Sequence, residues 1–127
     1  MTDAKAQAYP VFKALNGFKI RIDDILAILE DIKPISIGQK LDLQEMLKSL
    51  KNDIKAAAKY GTVSGTKKPM SSYEKAYYWP AMTKVSANLS IAINSHPIKS
   101  DWYSCLYNVQ GDITEMTFQL KEQFPEF

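Results

Sequence analysis

Apolar side chains recur every three or four residues in four stretches of this chain, each bounded by residues that start or stop helices. The first runs from about 19 to 33, where Ile22, Ile25, Leu29 and Ile32 step by three, four and three, Leu26 and Ile28 widen the face, and Pro34 ends the element. Asp23 and Asp24 toward its start and Lys33 at its end suit the helix field. The β-branched run from Lys19 to Ile25 also has strand character, but no second alternating stretch exists to pair with it. The second stretch, about 40 to 60, places Leu43, Leu47, Leu50, Ile54 and Ala57 at steps of four, three, four and three. Ser36 followed by Gln39 reads as a capping box ahead of it, with Asp42 as a competing cap, and Tyr60-Gly61 closes it.

The third stretch spans about 73 to 94, with Tyr78, Met82, Val85, Leu89 and either Ala92 or Ile93 facing inward, and Ser71 with Glu74 forms a second capping box to which Ser72 is the alternative. Pro80 lies inside it. A proline there removes a backbone bond and clashes with the carbonyl of Ala76, so the spacing predicts a kink, or a break that leaves Tyr73 to Trp79 as a short separate helix. Asn94 to Pro97 reads as a turn, and Ser100 caps a last helix of about 101 to 123. In that helix Trp102, Leu106, Val109, Ile113, Met116 and Leu120 alternate four and three, the rhythm of bundle packing. Gly111 falls outside this seam.

Ahead of the first long stretch, residues 4 to 17 read as an irregular or weakly helical lead-in. Pro10 suits a first turn, Val11, Phe12 and Leu15 give a small apolar face, and Asn16-Gly17 is a stop, so the segment is expected to cross the bundle rather than extend it. Residues 61 to 72 form the longest connection, expected to be an exposed, flexible loop, and Phe124, Pro125 and Phe127 make an apolar tail that can fold back or meet a partner. The pattern therefore predicts an all-α fold: one domain over 1–127, an antiparallel four-helix bundle with a short N-terminal lead-in and a kink or break near Pro80.

Composition changes this picture little. Hydrophobic residues make up 46% and charged ones 24%, close to globular averages, and 127 residues suffice for one core. Cys105 is the one cysteine, so no internal disulfide can form; near an apolar stripe it reads as an inert thiol, and its isolation favours a cytoplasmic location over a secreted one. The N-terminus lacks a basic start followed by an apolar run, and no window approaches the roughly 20 apolar residues of a membrane span.

Charge changes it more. The net charge of +2 hides a basic middle, residues 39–99 with ten lysines against four carboxylates, and an acidic end, residues 100–127 with Lys121 against five. Such polarity favours oriented contact with a charged partner.

The chemistry of catalysis is thinly represented. His96, the single histidine, sits in the turn before Pro97, and one His with one Cys cannot furnish the three or four nitrogen and sulfur ligands of common zinc sites. No Glu-x-x-His pair suggests a carboxylate-bridged metal, and no glycine-rich phosphate loop is present. Asp112 and Glu115, or Asp23, Asp24, Glu30 and Asp31, flank apolar seams as solvated charges do. No catalytic residue, metal or cofactor is expected.

Two features remain as candidate binding surfaces. Lys48, Lys51, Lys55 and Lys59 step by three, four and four along one side of the second helix, with Lys67 and Lys68 in the loop beyond, forming a basic ridge that also fits an ordinary solubilising face. Tyr73, Tyr77 and Trp79 crowd the start of the third helix, and Tyr103 and Tyr107 the start of the last; amphipathic rings of this kind concentrate at protein interfaces. The leading expectation is a non-catalytic protein that binds another protein as an inhibitor, immunity-type or adaptor component. The alternatives are a nucleic-acid accessory protein that uses the lysine ridge, against which the single Arg21 weighs, and a small-ligand or minor enzymatic bundle. A homodimer is also compatible, because Ile28, Ile91 and Phe118 fall off the main seams.

Overall fold

The structure, a computed structural model, describes the backbone of residues 2–31, 36–94 and 100–127, with the side chains of all of these except 2, 3, 31, 90–94 and 100–102. Helices α1 (Thr2–Asp31), α2 (Ile37–Tyr60), α3 (Trp79–Asn94) and α4 (Ser100–Gln123) form the bundle, with a single π-helical turn, Glu74–Tyr78, leading into α3. Around the bundle α1 packs on α4, α4 on α3 and α3 on α2, whereas α1 and α2 touch far less than these three pairs. The four-helix bundle is thus closed on three seams and splayed along the fourth.

The seams behave as their spacing predicts. Leu43, Leu47, Leu50, Ile54 and Ala57 of α2 are all buried, as are Tyr78, Met82, Val85 and Leu89 around α3 and Leu106, Val109, Ile113 and Leu120 of α4. Met116 is half-buried. On α1, Ile22, Ile25 and Leu26 are buried while Ile28 and Leu29 pack partly against them. The inward assignments of Ile32, Ala92, Ile93 and Trp102, the Ile91 and His96 readings, the Pro34 stop and the Ser100 cap lie outside the described residues or side chains.

Both capping boxes form. Ser36 Oγ accepts from Gln39 N at 3.2 Å while Ser36 N donates to Gln39 Oε1 at 3.0 Å, and Asp42 lies inside α2 rather than capping it. Ser71 and Glu74 exchange the same two bonds at 2.8 and 3.2 Å. The disruption anticipated at Pro80 is the π turn. Pro80 has no N–H for the carbonyl of Ala76, and the chain widens so that Trp79 N donates instead to Glu74 O, five residues back.

The lead-in is where the sequence reading needs correction. It is helical, but it neither stops at Asn16-Gly17 nor crosses the bundle: α1 runs unbroken from Thr2, so Pro10 sits in a helix interior. Tertiary packing outweighs the cost of about 3 kcal/mol for proline and 1 for glycine. Ala8, Val11 and Leu15 are buried, and Phe127 folds back to meet Tyr9 and Phe12 at centroid distances of 5.3 and 5.1 Å, with Lys5 pairing Glu126 at 2.8 Å. The apolar tail therefore clamps the first helix instead of standing free. Cys105, near the apolar stripe of α4, is partly buried.

The segment after α2 is also less open than its composition suggests. Gly61 takes a left-handed conformation, φ 69°, and donates to Ala57 O at 2.7 Å, while Thr62 is fully buried with its hydroxyl on Thr66 O at 2.7 Å. Residues 66 to 69 are exposed.

Gly111, by contrast, has ordinary helical dihedrals, and a Cβ built there meets nothing within 4 Å. Gly111→Ala is expected to stabilise the fold by up to about 1 kcal/mol, read as a rise in the thermal midpoint. A lower midpoint would show that a neighbouring group packs against this spot in solution.

Candidate functional site

The splayed seam leaves a groove along one flank of α1. Gln7, Pro10, Ala14, Gly17, Arg21 and Asp24 step by three and four along it, with Phe18 and Ile25 beside them, a length of about 27 Å at the helical rise. Four linked hollows mark its course. At one end a cavity of about 340 Å³ lies between Gln7, Pro10 and Val11 on α1 and Ser64, Lys68, Ser71 and Glu74 on the other bank. In the middle, cavities of about 230 and 320 Å³ share Phe18, Arg21, Val63 and Tyr78, with Ala14 and Gly17 on one side and Ala56 and Ala57 on the other. At the far end about 420 Å³ opens between Arg21, Asp24 and Ile25 and Glu45, Met46, Ser49 and Leu50 of α2.

The floor is apolar and the rim is charged. Val11, Ile25, Leu50, Ala57 and Tyr78 are buried beneath it, and Phe18, Val63 and Met46 are only partly covered. Arg21 spans the gap: Nη1 donates to Asp53 Oδ2 at 2.8 Å and the guanidinium lies 5.8 Å from the Phe18 ring centre. Both partners of that pair are well exposed, so it contributes at most about 1 kcal/mol and bridges the groove without sealing it. The Tyr78 phenol at the base is pushed up to about 12, first by burial and then by the negative charge of Glu74, and therefore stays neutral. Glu74 itself is fully engaged, accepting from Val63 N at 2.7 Å and Ser71 N at 2.8 Å, which pins the loop that forms one bank.

Among the described residues no three His, Cys, Asp or Glu side chains gather as a metal site. None of the described helices is long and apolar enough to cross a membrane.

The aromatic candidates are divided between the two ends of the molecule. Tyr73 and Tyr77 stack at 5.8 Å, Tyr73 also meets Phe124, and both hydroxyls engage Gln123, so these rings join the π turn to the end of α4. Tyr103 and Tyr107 stack at 6.2 Å at the opposite end, where Tyr103 donates to Glu30 at 2.7 Å and Tyr107 is 58% exposed. Trp79 belongs to neither set. Its indole N–H donates to Ala58 O at 3.0 Å, satisfying a carbonyl at the end of α2, and the ring stays 45% exposed.

The lysines divide as well. Lys48, Lys55 and Lys59 are exposed and Lys51 half-exposed on the flank of α2 away from α1, whereas Lys68 lines the groove against Gln7 and Pro10. Lys67 is exposed in the loop. Lys5, Lys19, Arg21 and Lys84 each have a carboxylate partner, but among the described residues none of the four ridge lysines does. Lys51, Lys55 and Lys59 repeat at intervals of four, so each adjacent pair repels by about 0.2–0.5 kcal/mol. Lys59, in the last turn of α2, is favoured by the helix field, whereas Lys48 and Lys51 lie too far from that end to gain from it.

The groove has no counterpart in the sequence reading, because the periodicity of α1 and α2 reports which faces are apolar and not which pair of helices packs loosely. One signal was available. Ala14, Gly17 and Ala56 are small residues on helix flanks, and a Cβ added at Gly17 meets nothing within 4 Å. No family model, curated protein or solved structure matches this chain.

Proposed function

We propose that this protein works without catalysis by binding another protein, as an inhibitor, immunity-type or adaptor component, and that the α1/α2 groove receives an amphipathic helix of that partner. The observation that carries this reading is the long hollow with an apolar floor and a charged rim, the form that helix-in-groove recognition uses. Its length of about 27 Å suits about five turns of helix. The small side chains at its centre would let an apolar face approach closely, and Arg21, Asp24, Glu45 and Asp53 would fix its register through charge.

Gly17 supplies the test. Gly17→Trp fills the middle of the groove from a position whose Cβ is unobstructed, so the variant is expected to melt at or above the wild-type temperature. Tethered wild-type protein should retain a specific polypeptide from its native cell lysate after nuclease treatment, and the Gly17→Trp protein should retain at least about tenfold less. Equal retention by both would remove the groove from the reading. Recovery that disappears with nuclease would remove protein binding as its basis.

A further inference from the structure

Beyond the groove, we infer that the opposite flank of α2 is a binding surface for a single strand of nucleic acid, held by its phosphates on Lys48, Lys51, Lys55 and Lys59 and by one base on Trp79. The lysines cover about 16 Å of helix, carry no carboxylate partners among the described residues, and include like charges set one turn apart. The helix segregates its charge. Glu45 and Asp53 line the α1 groove, and of the acids of α2 only Glu45 lies one turn from a ridge lysine, Lys48, with which it makes no ion pair.

The neighbouring element extends this field. From Lys75 to Ser100 the sequence contains no carboxylate, and α3, which packs on α2, is drawn from that stretch. Trp79 then decides between ligands. Its bond to Ala58 O sets the half-exposed ring at the end of α2, where Ala58 follows Lys55 by three residues on the same side of the helix, while Lys59 Nζ lies 5.3 Å from the Tyr60 ring centre. A fixed aromatic face at the edge of a positive strip is how single strands are bound without sequence preference: phosphates follow the charge and a base stacks on the ring. An acidic protein surface would use the lysines but has no need of the indole. Duplex readout would call for arginine, and Arg21 is committed to Asp53 on the other side of the helix.

Only phosphates and a base face are engaged, so binding should be indifferent to the sugar. Fluorescence anisotropy with labelled oligo(dT) and oligo(U) of about twelve nucleotides tests this. Both should bind at low salt within a few-fold of each other, with affinity falling as salt rises at a logarithmic slope of about −3 for four lysines. Lys51→Gln/Lys55→Gln, which relieves repulsion and should not harm folding, is expected to weaken binding about tenfold and to reduce the slope by about 1.4. Trp79→Ala should lose about tenfold at unchanged slope, while Trp79→Phe, which keeps a ring, should lose little. Gly17→Trp, which fills the groove, should bind the oligonucleotides like the wild type, so the two surfaces fail or succeed separately. Absence of binding at low salt would overturn the inference, as would a slope unmoved by the double lysine variant. Capture of a poly-glutamate peptide by these lysines with no binding of either oligonucleotide would overturn it in favour of an acidic protein ligand.

Discussion

Truncating Leu106 to alanine should destabilise the protein by about 3–4 kcal/mol, whereas truncating Phe118, a larger side chain on the same helix, should cost less than about 1. Leu106 is completely buried on the inner seam of α4, and its removal forfeits both the transfer energy of the lost methyl groups and the contacts around the cavity left behind. Phe118 is 60% exposed on the outer face, where much of its surface remains in water in the folded state. The pair therefore tests the packing of the bundle rather than the size of the deleted group. Urea unfolding at constant slope is the measurement, and a total stability of order 10 kcal/mol leaves room to resolve both. Similar losses at the two positions would mean that the outer face of α4 is covered in solution, the outcome anticipated if the chain is a homodimer through that face.

The second large effect belongs to Glu74. Glu74→Ala is expected to cost about 3 kcal/mol, because its two carboxylate oxygens accept from Val63 N at 2.7 Å and Ser71 N at 2.8 Å and alanine leaves both donors without that partner. Bonds to an ionised acceptor are stronger than neutral ones, and this carboxylate closes the loop at both ends. Glu74→Gln retains one acceptor oxygen but sets an amide nitrogen against the other backbone donor, so it should fall between alanine and the wild type. Amide hydrogen exchange supplies the second readout. Protection at Val63 should drop selectively in both variants, while the buried seam of α4 loses protection only as far as global stability falls. An alanine variant within about 1 kcal/mol of the wild type would show that the loop is held by other contacts.

Glu74 was legible in part. Ser71 and Glu74 form a recognisable capping pair in the sequence, and that half of its bonding is local. The bond to Val63, eleven residues away, depends on how the chain returns after Gly61, and no residue spacing encodes it. The lysine ridge was legible in full as a line along α2, since helical geometry alone sets its alignment. Its lack of ion pairs among the described residues and the bond of Trp79 to Ala58 O were not, because both depend on how α2 packs against its neighbours. The tyrosines show the reverse limit. Sequence groups them by their places at helix starts, but antiparallel packing sends Tyr73 and Tyr77 to the end holding Phe124 and Tyr103 and Tyr107 to the end holding Glu30.

What the sequence by itself determined is therefore the helical class, the four buried seams, both capping boxes and the disturbance at Pro80. Each of these follows from interactions within a few residues or from the requirement that a periodic apolar face leave water. The course of α1 through Pro10 and Gly17 was decided by tertiary structure, since the local penalties of those residues are outweighed only when Phe127 and the buried residues of the first turns come together. So was the groove. An apolar stripe states that a helix must be covered, while the closeness with which each neighbour covers it is set by the joint packing of all four helices, and here that packing left α1 and α2 apart.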